Sequence, residues 1–351
     1  LRVEGIKDMK EIKIALLGFG NAGQAFAKLL IKKSNEIAKT YETKVVVVAI
    51  ATRSKGTVID EKGLNLEEII VEIEKDGKFS KSINMSALET ANQVNYDILV
   101  ELTPLEIFSG QPAINHIKAG LNRGKHVITA NKGPVAWAYR ELKELANQKR
   151  VQFLCETTVM DGTPIFNLVE DTLKFCKVIE INGILNTTTN FILEEMGKGI
   201  PYENIIEEGK RRGFVETDPS TDVEGYDASA KVTALMNVLM DAGITPENIE
   251  RQGIENITYE NIKQAEARGK VIKLLCNGKY VNGKAVGAVR PVEMEKGDML
   301  AAIDGTSSIV SITTDLMGTI SIIEHNPEIE QTAYGIFSDM VRIISNISGH
   351  I

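Results

Sequence analysis

The sequence predicts an α/β chain, a doubly wound parallel sheet followed by a second α+β domain. Three observations predict it. Short apolar runs without alternation recur, separated by stretches of helical spacing, which is the pattern of parallel strands covered on both faces. The first run ends in a glycine-rich turn that opens a helix. After about residue 155 the composition shifts toward Thr, Asn and Gly, and the strand–helix alternation stops.

Taken in order, EIKIALLGFG (11–20) is a short apolar strand running into glycine, and AGQAFAKLLIKKSNEIAK follows it with helical spacing. VVVVAIA (45–51), DILVEL (97–102) and HVITA (126–130) are further buried strands, and VQFLCE (151–156) closes the series. GQPAINHIKAGLNRG and PVAWAYRELKELANQK are helices between them. The second carries Pro134 near its start, where a missing N–H leaves no hydrogen bond unmade. Between Arg53 and Val94 the pattern is less regular and reads as an insertion within the sheet domain. In the second domain KVIEINGILNT is strand-like, and TNFILEEMGKG is a short helix ended by glycine. YDASAKVTALMNVLMDAG (226–243) is a longer helix and ENIKQAEARGKVIKLLC another. YVNGKAVGAVRPVEM and SSIVSITTDLMGTISII read as strands of an open, mixed or antiparallel sheet, and AYGIFSDMVRIISNIS (333–348) as a terminal helix. Two domains with no floppy linker suggest an active site in the cleft between them.

Bulk properties exclude several classes. The 351 residues suffice for two domains, and 43% hydrophobic with 25% charged residues is ordinary for a folded chain. A net charge of -8 and the lack of a dense Lys/Arg run argue against nucleic acid as a partner. Three distant cysteines (Cys155, Cys176, Cys276) argue against a disulfide framework or zinc knuckle. No apolar run reaches the roughly 18 residues that span a bilayer. The start, LRVEGIKDMK, lacks a signal-peptide pattern, so the expected location is the cytoplasm, and no membrane partner is expected. The first residue is Leu1 rather than Met.

Gly18-Phe19-Gly20-Asn21-Ala22-Gly23 fits GxGxxG. Its position after a buried strand and before a helix gives it weight. The first glycine permits the turn, the second lets backbone approach a pyrophosphate, and the third lets helix and sheet pack closely. A dinucleotide site is expected there. An NAD site usually has an acid at the end of the second strand to hold ribose hydroxyls. Here that strand runs into Thr52-Arg53-Ser54-Lys55, without an acid. Arg53, with Ser54 or Lys55, suits a 2'-phosphate, so NADP is favoured over NAD. Two more segments stand at C-terminal strand ends, where ligands of such sheets sit: Glu101-Leu102-Thr103-Pro104 and Thr129-Ala130-Asn131-Lys132-Gly133-Pro134. The latter places Lys132 where cofactor and substrate would meet.

The stretch GFVETDPSTDVEGYDASAK (213–231) holds five carboxylates, Glu216, Asp218, Asp222, Glu224 and Asp227, and ends at Lys231. A solvated acidic loop is the plain alternative. Together with GFGNAG, VELTP, GKHVITANKGP, ETTVMDGTP and NGILNTTTNFIL, in this order across residues 14–240, it resembles the homoserine dehydrogenase family. VRPVEM, AIDGTSS and TAYGIFSDM are weaker echoes.

That resemblance implies reversible reduction of L-aspartate 4-semialdehyde to L-homoserine with NADP or NAD, a step toward threonine, methionine and isoleucine. It implies a Rossmann-type nucleotide-binding domain (10–155), a substrate-binding, catalytic and dimerisation domain (156–325), and a C-terminal helix (326–351) packing back on the first. It makes Lys231 the catalytic acid/base and places Lys132 beside coenzyme and substrate. Glu216, Asp222 and Asp227 match carboxylates that hold the substrate or the lysine. The first turn (Gly18, Phe19, Gly20, Asn21, Ala22, Gly23) and Thr103 match coenzyme contacts. Glu156, Val159, Asp161 and Thr163 match a structural sodium-like cation site, partly of backbone carbonyls. A homodimer is implied, as is a short form without a C-terminal regulatory domain. The chain departs from many relatives at Thr187, where they have glycine, and in Val159-Met160-Asp161-Gly162-Thr163-Pro164, where they are richer in glycine.

The residues suit the chemistry. Hydride transfer to an aldehyde leaves an alkoxide that needs a proton and nearby positive charge, both available from Lys231. Asp227 lies at i,i+4 from it, on the same helix face. Glu216 and Asp222 suit a substrate ammonium. Asp218 before Pro219 reads as a turn residue and Glu224 as solvated. Trp137, Met236, Met240, Phe191, His116 and His126 read as packing residues. Two other readings stand beside this one: another amino-acid-type NAD(P) oxidoreductase, and a low-turnover coenzyme-binding homologue.

Overall fold

The computed structural model describes residues 9–215 and 218–349. It divides into two compact units. The first holds the chain up to Pro134, Arg140–Pro164 and the stretch from Glu328 onward; the second holds Val135–Tyr139 and Ile165–Pro327.

In the first unit the apolar runs form strands β1 (Lys10–Leu17), β2 (Thr43–Thr52), β3 (Gly56–Ile59), β4 (Ile98–Glu101), β5 (His126–Thr129) and β6 (Phe153–Leu154). Their order in the sheet is β3-β2-β1-β4-β5-β6. All neighbours are parallel except β3, which turns back antiparallel on β2. The connecting helices are α1 (Asn21–Tyr41), α2 (Leu66–Asp76), α3 (Ala87–Gln93), α4 (Ala113–Asn122) and α5 (Lys132–Lys149), the last kinked at Ala138. The irregular stretch 53–94 thus resolves into the β3 hairpin, α2 and α3. The chain leaves β1 toward β2 and returns on the other side as β4. At such a switch point the loops after adjacent strands diverge and leave a crevice for a ligand. The core of this unit joins Ile14, Leu16, Ile50, Ile98 and Ile128 to Phe26 of α1 and to Ile336, Met340 and Ile343 of the C-terminal helix Ile329–Ser348.

The second unit carries strands β7 (Val178–Ile184), β8 (Ile249–Arg251), β9 (Lys270–Val281), β10 (Lys284–Glu295), β11 (Ser308–Thr314) and β12 (Gly318–Glu324). They are ordered β12-β11-β7-β9-β10-β8. Pairing is antiparallel except for β8 on β10. Its helices are α6 (Phe166–Thr172), α7 (Thr187–Gly197), α8 (Tyr202–Arg212), α9 (Ser220–Val223), α10 (Tyr226–Met240) and α11 (Tyr259–Ala267). One expectation is corrected here. ENIKQAEARGKVIKLLC is not a single helix: α11 ends at Ala267, Gly269 turns at φ 76°, and the apolar remainder becomes β9. The long register of β9 on β10 decides it, closed by Asn282 and Gly283 at φ 50° and 77°, the conformation that an Asn-Gly hairpin turn requires. Helix α10 lies close on this sheet, since a Cβ on Gly278 of β9 would come within 2.6 Å of Met236.

The glycine turn after β1 separates a folding role from an open one. Gly18 sits at φ 105°, and a Cβ there would meet the Leu102 carbonyl oxygen at 2.2 Å. Gly20 has φ -79°, and a Cβ there meets nothing within 4 Å. Gly18→Ala should therefore destabilise the protein by at least about 2 kcal/mol in urea unfolding, whereas Gly20→Ala should stay within about 0.5 kcal/mol. Equal effects of the two would contradict this reading of the turn.

Candidate functional site

One candidate group, within the first unit, is the turn between β1 and α1. The Gly18 amide donates to the Ala51 carbonyl at the end of β2 (2.8 Å), which fixes the turn on the sheet. Gly20 is the N-cap residue of α1 and supplies no capping side chain, and no acid stands in the first turn. The opening N–H groups of α1 and its positive dipole end therefore remain to meet an anion, over the open space beside Gly20. Asn21 is exposed, Ala22 half-buried and Gly23 buried. The Phe19 side chain is 1% exposed and packs in the core near Phe79, so only its main chain can meet a ligand.

Residues 53–55 form the tight turn between β2 and β3. Arg53 is exposed there, while the Lys55 ammonium donates to the Phe19 carbonyl at 2.5 Å. The turn after β2 is thus tied to the glycine turn, with a guanidinium beside it and no carboxylate at the strand end. Thr103, after β4, is half-buried, and its amide donates to Glu101 at 3.0 Å. Lys132 is the half-buried first residue of α5, whose N-terminus is capped by Asn131 accepting from the Gly133 amide at 3.1 Å.

The segment after β6 turns through a short 3-10 helix, Glu156–Thr158, with Glu156 2% exposed. Asp161 has φ 43°, and its carboxylate accepts from the Thr332 hydroxyl at 2.6 Å. The Thr163 amide donates to the Met160 carbonyl. Val159 is buried, and the Glu156 amide donates to Asp339. Among the described residues no group of three His, Cys, Asp or Glu side chains is arranged to hold a metal ion.

A second candidate group, within the second unit, is built at the start of α10. Gly225, in the left-handed conformation at φ 80°, turns the chain from α9 into α10, and Asp227 and Lys231 follow one helical turn apart. The Lys231 ammonium lies 3.1 Å from Asp227 Oδ2 and donates to the Leu185 carbonyl at 2.7 Å. The two side chains are only 15% and 12% exposed, so their attraction is weakly screened. Asp222, on α9, joins them through Asn186. The Asn186 amide donates to Asp222 Oδ1 at 2.6 Å and to Asp227 Oδ2 at 2.9 Å. Its carbonyl oxygen meanwhile accepts from the Thr189 amide and caps α7. Burial, and then the charge of Asp227, push the Asp222 carboxyl above its ordinary value; Asn186, Lys231 and the Thr188 hydroxyl pull it back. Glu216, expected to share in this cluster, lies outside the described residues.

The remaining candidates divide as their surroundings dictate. Asp218 accepts from the Ser220 amide at 3.0 Å, a turn role that lowers its pKa. Glu224 contributes its backbone carbonyl to Arg251, whose guanidinium stacks on Tyr226 at 3.7 Å. Met236 and Met240 are buried, as is Phe191. His126 accepts from the Gln152 amide, and burial pulls its pKa down, which suits a neutral structural ring. Thr187 is the half-buried first residue of α7. Cys276 is buried against the Ala228 carbonyl; burial pushes its thiol up to about 12, so it is inert.

Two residues that the sequence pattern does not single out matter here. Asn186 is one; an Asn opening a helical stretch is a helix-cap signal, but nothing local shows that its amide bridges two acids. The other is Lys273, 7% exposed within β9, whose ammonium donates to Asn190 at 2.6 Å and to the Ile303 carbonyl. Burial lowers its pKa, and it ties α7 to the loop before β11.

Comparison with known proteins bears on both units. The family model described as homoserine dehydrogenase matches residues 164–341, and that described as the homoserine dehydrogenase NAD binding domain matches 18–156. A homoserine dehydrogenase of Methanocaldococcus jannaschii is 38% identical over 338 residues, covering 95% of this chain and 98% of that protein. An NAD(+)-dependent homoserine dehydrogenase of Pseudomonas canavaninivorans is 31% identical, covering 95% and 97%. A solved hyperthermophilic archaeal homoserine dehydrogenase in complex with NADPH superposes with a TM-score of 0.81 at 28% identity, covering 96% and 98%.

The environment of Asp222 makes a measurable prediction. A raised pKa means that its stabilising contribution is present below the unfolded value of 3.8 and is lost as pH rises through the folded value. In carboxyl NMR of the protein without ligands, Asp222 should titrate above 3.8, and Asn186→Ala should move it higher still. Asp222→Asn should raise the unfolding midpoint at neutral pH and not in strong acid. Titration at or below 3.8 would contradict the assigned surroundings.

Proposed function

This chain belongs to the homoserine dehydrogenase family, and from that premise we propose how its residues divide the work. The activity is the reversible NAD(P)-dependent reduction of L-aspartate 4-semialdehyde to L-homoserine, on the route to threonine, methionine and isoleucine. The observation that carries the division is the ion pair of Lys231 and Asp227, joined to Asp222 through Asn186.

The nicotinamide, when bound, supplies the hydride for the aldehyde carbon. Lys231 gives the proton to the carbonyl oxygen and stabilises the charge that develops there. In the reverse direction the same amine takes the alcohol proton, which favours alkaline pH. Asp227 and the Leu185 carbonyl hold the ammonium in place. Asp222 and Glu216 receive the substrate ammonium; ion pairing there relieves the cost of keeping Asp222 ionised under burial. Lys132 neutralises charge on substrate and coenzyme.

The coenzyme fits the first unit. Its pyrophosphate would lie on Gly18, Phe19 main chain, Gly20, Asn21, Ala22 and Gly23 at the start of α1, with Thr103 beside the nicotinamide end. Arg53 would meet a 2'-phosphate, which makes NADP the preferred form. For the cation site, the buried Glu156 carboxylate supplies charge, and the carbonyls of Val159, Asp161 and Thr163 would complete a shell of oxygen donors. Asp161's side chain is engaged by Thr332, so its carbonyl is the available donor. That donor set suits a monovalent structural ion. The domain roles proposed are coenzyme binding for residues 10–155, with the C-terminal helix from 326 packing back on that domain, and substrate binding, catalysis and dimerisation for 156–325. A homodimer through the β7–β11–β12 side of the second sheet is proposed, since that side carries the exposed edge strand β12. No helix among the described residues is long and apolar enough to cross a membrane, and a cytoplasmic location is proposed.

The test is aspartate 4-semialdehyde reduction assayed with NADPH and NADH side by side. NADPH should be favoured in kcat/KM by at least about tenfold, the worth of one charge-assisted contact to phosphate. Arg53→Ala should remove most of that preference. Equal use of both coenzymes would overturn the Arg53 assignment, and no reduction with either would overturn the reaction.

A further inference from the structure

Glu101 is a buried acid that no step above uses. It is fully buried at the C-terminal end of β4. Burying a carboxylate is costly unless its oxygens are well provided with donors. Its Oε1 accepts from both the amide and the hydroxyl of Thr103, and its Oε2 accepts from the Thr129 hydroxyl at 3.1 Å. Thr129 Oγ1 in turn accepts from the Asn131 amide at 3.0 Å. The Asn131 side-chain amide donates back to the Thr103 carbonyl at 3.2 Å, and its oxygen caps α5 through the Gly133 amide. The ring closes: Glu101, Thr103, Asn131, Thr129. It ties the loop after β4 to the loop after β5, and Lys132 is the next residue after Asn131.

The set is acceptor-only at Glu101, which suits a carboxylate and which an amide satisfies on one side only. Among the described residues His116, on α4, is the one basic side chain that reaches it, with Nδ1 3.7 Å from Oε1. His116 is 5% exposed, and its Nδ1 makes no hydrogen bond among the described residues, since 3.7 Å exceeds hydrogen-bond length.

We infer that Glu101 is a positioning residue for hydride transfer, holding Thr103 and, through Thr129 and Asn131, the helix start that carries Lys132. The inference rests on the reading above that Thr103 and Lys132 meet coenzyme and substrate. Its logic is geometric. Two loops that meet one ligand must keep a fixed spacing, and a shared buried acceptor sets that spacing more firmly than two exposed turns. A small displacement of a nicotinamide contact has a large effect on rate, because the reacting atoms must be nearly in contact.

The experiment uses Glu101→Gln and Thr129→Val in the full chain, with NADPH binding followed by nicotinamide fluorescence. It also records kcat, KM, thermal unfolding and the primary deuterium isotope effect with 4-deuterated NADPH. Both variants should bind NADPH roughly tenfold more weakly, as expected for losing a charge-assisted contact, and the isotope effect on kcat should grow. A lower unfolding temperature with unchanged NADPH affinity and isotope effect would overturn the inference and leave Glu101 a purely structural residue. Should Glu101→Gln fail to fold, Thr129→Val carries the test alone, and wild-type values in it overturn the proposal. Thr103→Ala and Lys132→Ala separate the two levels. If neither alters NADPH binding or turnover, the coenzyme reading of these loops fails. If they do while Glu101→Gln does not, only the positioning role fails.

Discussion

Two carboxylates and an ammonium share one largely dry corner at the start of α10, and the second unit depends on making that arrangement tolerable. Asp222 and Asp227 repel each other, and burial strengthens the repulsion. Lys231 offsets it through the helical i,i+4 spacing that brings it to 3.1 Å from Asp227. Asn186 completes the balance by giving one N–H to each acid. Because the same side chain caps α7, the helix start and the acid pair are fixed together. Close packing of Met236 on Gly278 then sets the height of α10 over β9. A shift of either helix would leave a buried charge without its partner, which costs several kcal/mol.

In the first unit the constraint is a different one, the backbone of the turn after β1. Its turn works because a Cβ is impossible at Gly18 and unopposed at Gly20. Lys55 ties the turn after β2 to the glycine turn, while Arg53 stands exposed beside it. A hairpin thus places an exposed guanidinium at the end of β2, with no carboxylate in that turn. At Asp161 the chain takes a left-handed conformation, φ 43°. Aspartate tolerates that region better than most residues, and Thr332 engages its side chain.

What the sequence made legible was local. The alternation of apolar runs with helical stretches located the parallel sheet, the glycine spacing located the first turn, and the i,i+4 pair linked Asp227 to Lys231. What it hid was set by non-local pairing. Residues 270–276 look helical after α11 because their β character comes from the register with β10. Asn186 carries a cap signal, but its two carboxylate partners lie 36 and 41 residues away. Phe19 fits a coenzyme motif by position, yet its ring is drawn into the core. Glu101 reads as the end of a buried strand, and only the fold shows that its oxygens join two loops.

The central claim is that the Lys231 amine is the proton donor, held ready by Asp227 and Asn186. Single-turnover reduction of aspartate 4-semialdehyde by Lys231→Met, with NADPH binding measured on the same folded sample, tests it most directly. The account predicts hydride transfer slowed by roughly 100- to 10,000-fold, the usual worth of a positioned acid, with NADPH affinity within about twofold of the parent. Hydride transfer within a few-fold of the parent would contradict it.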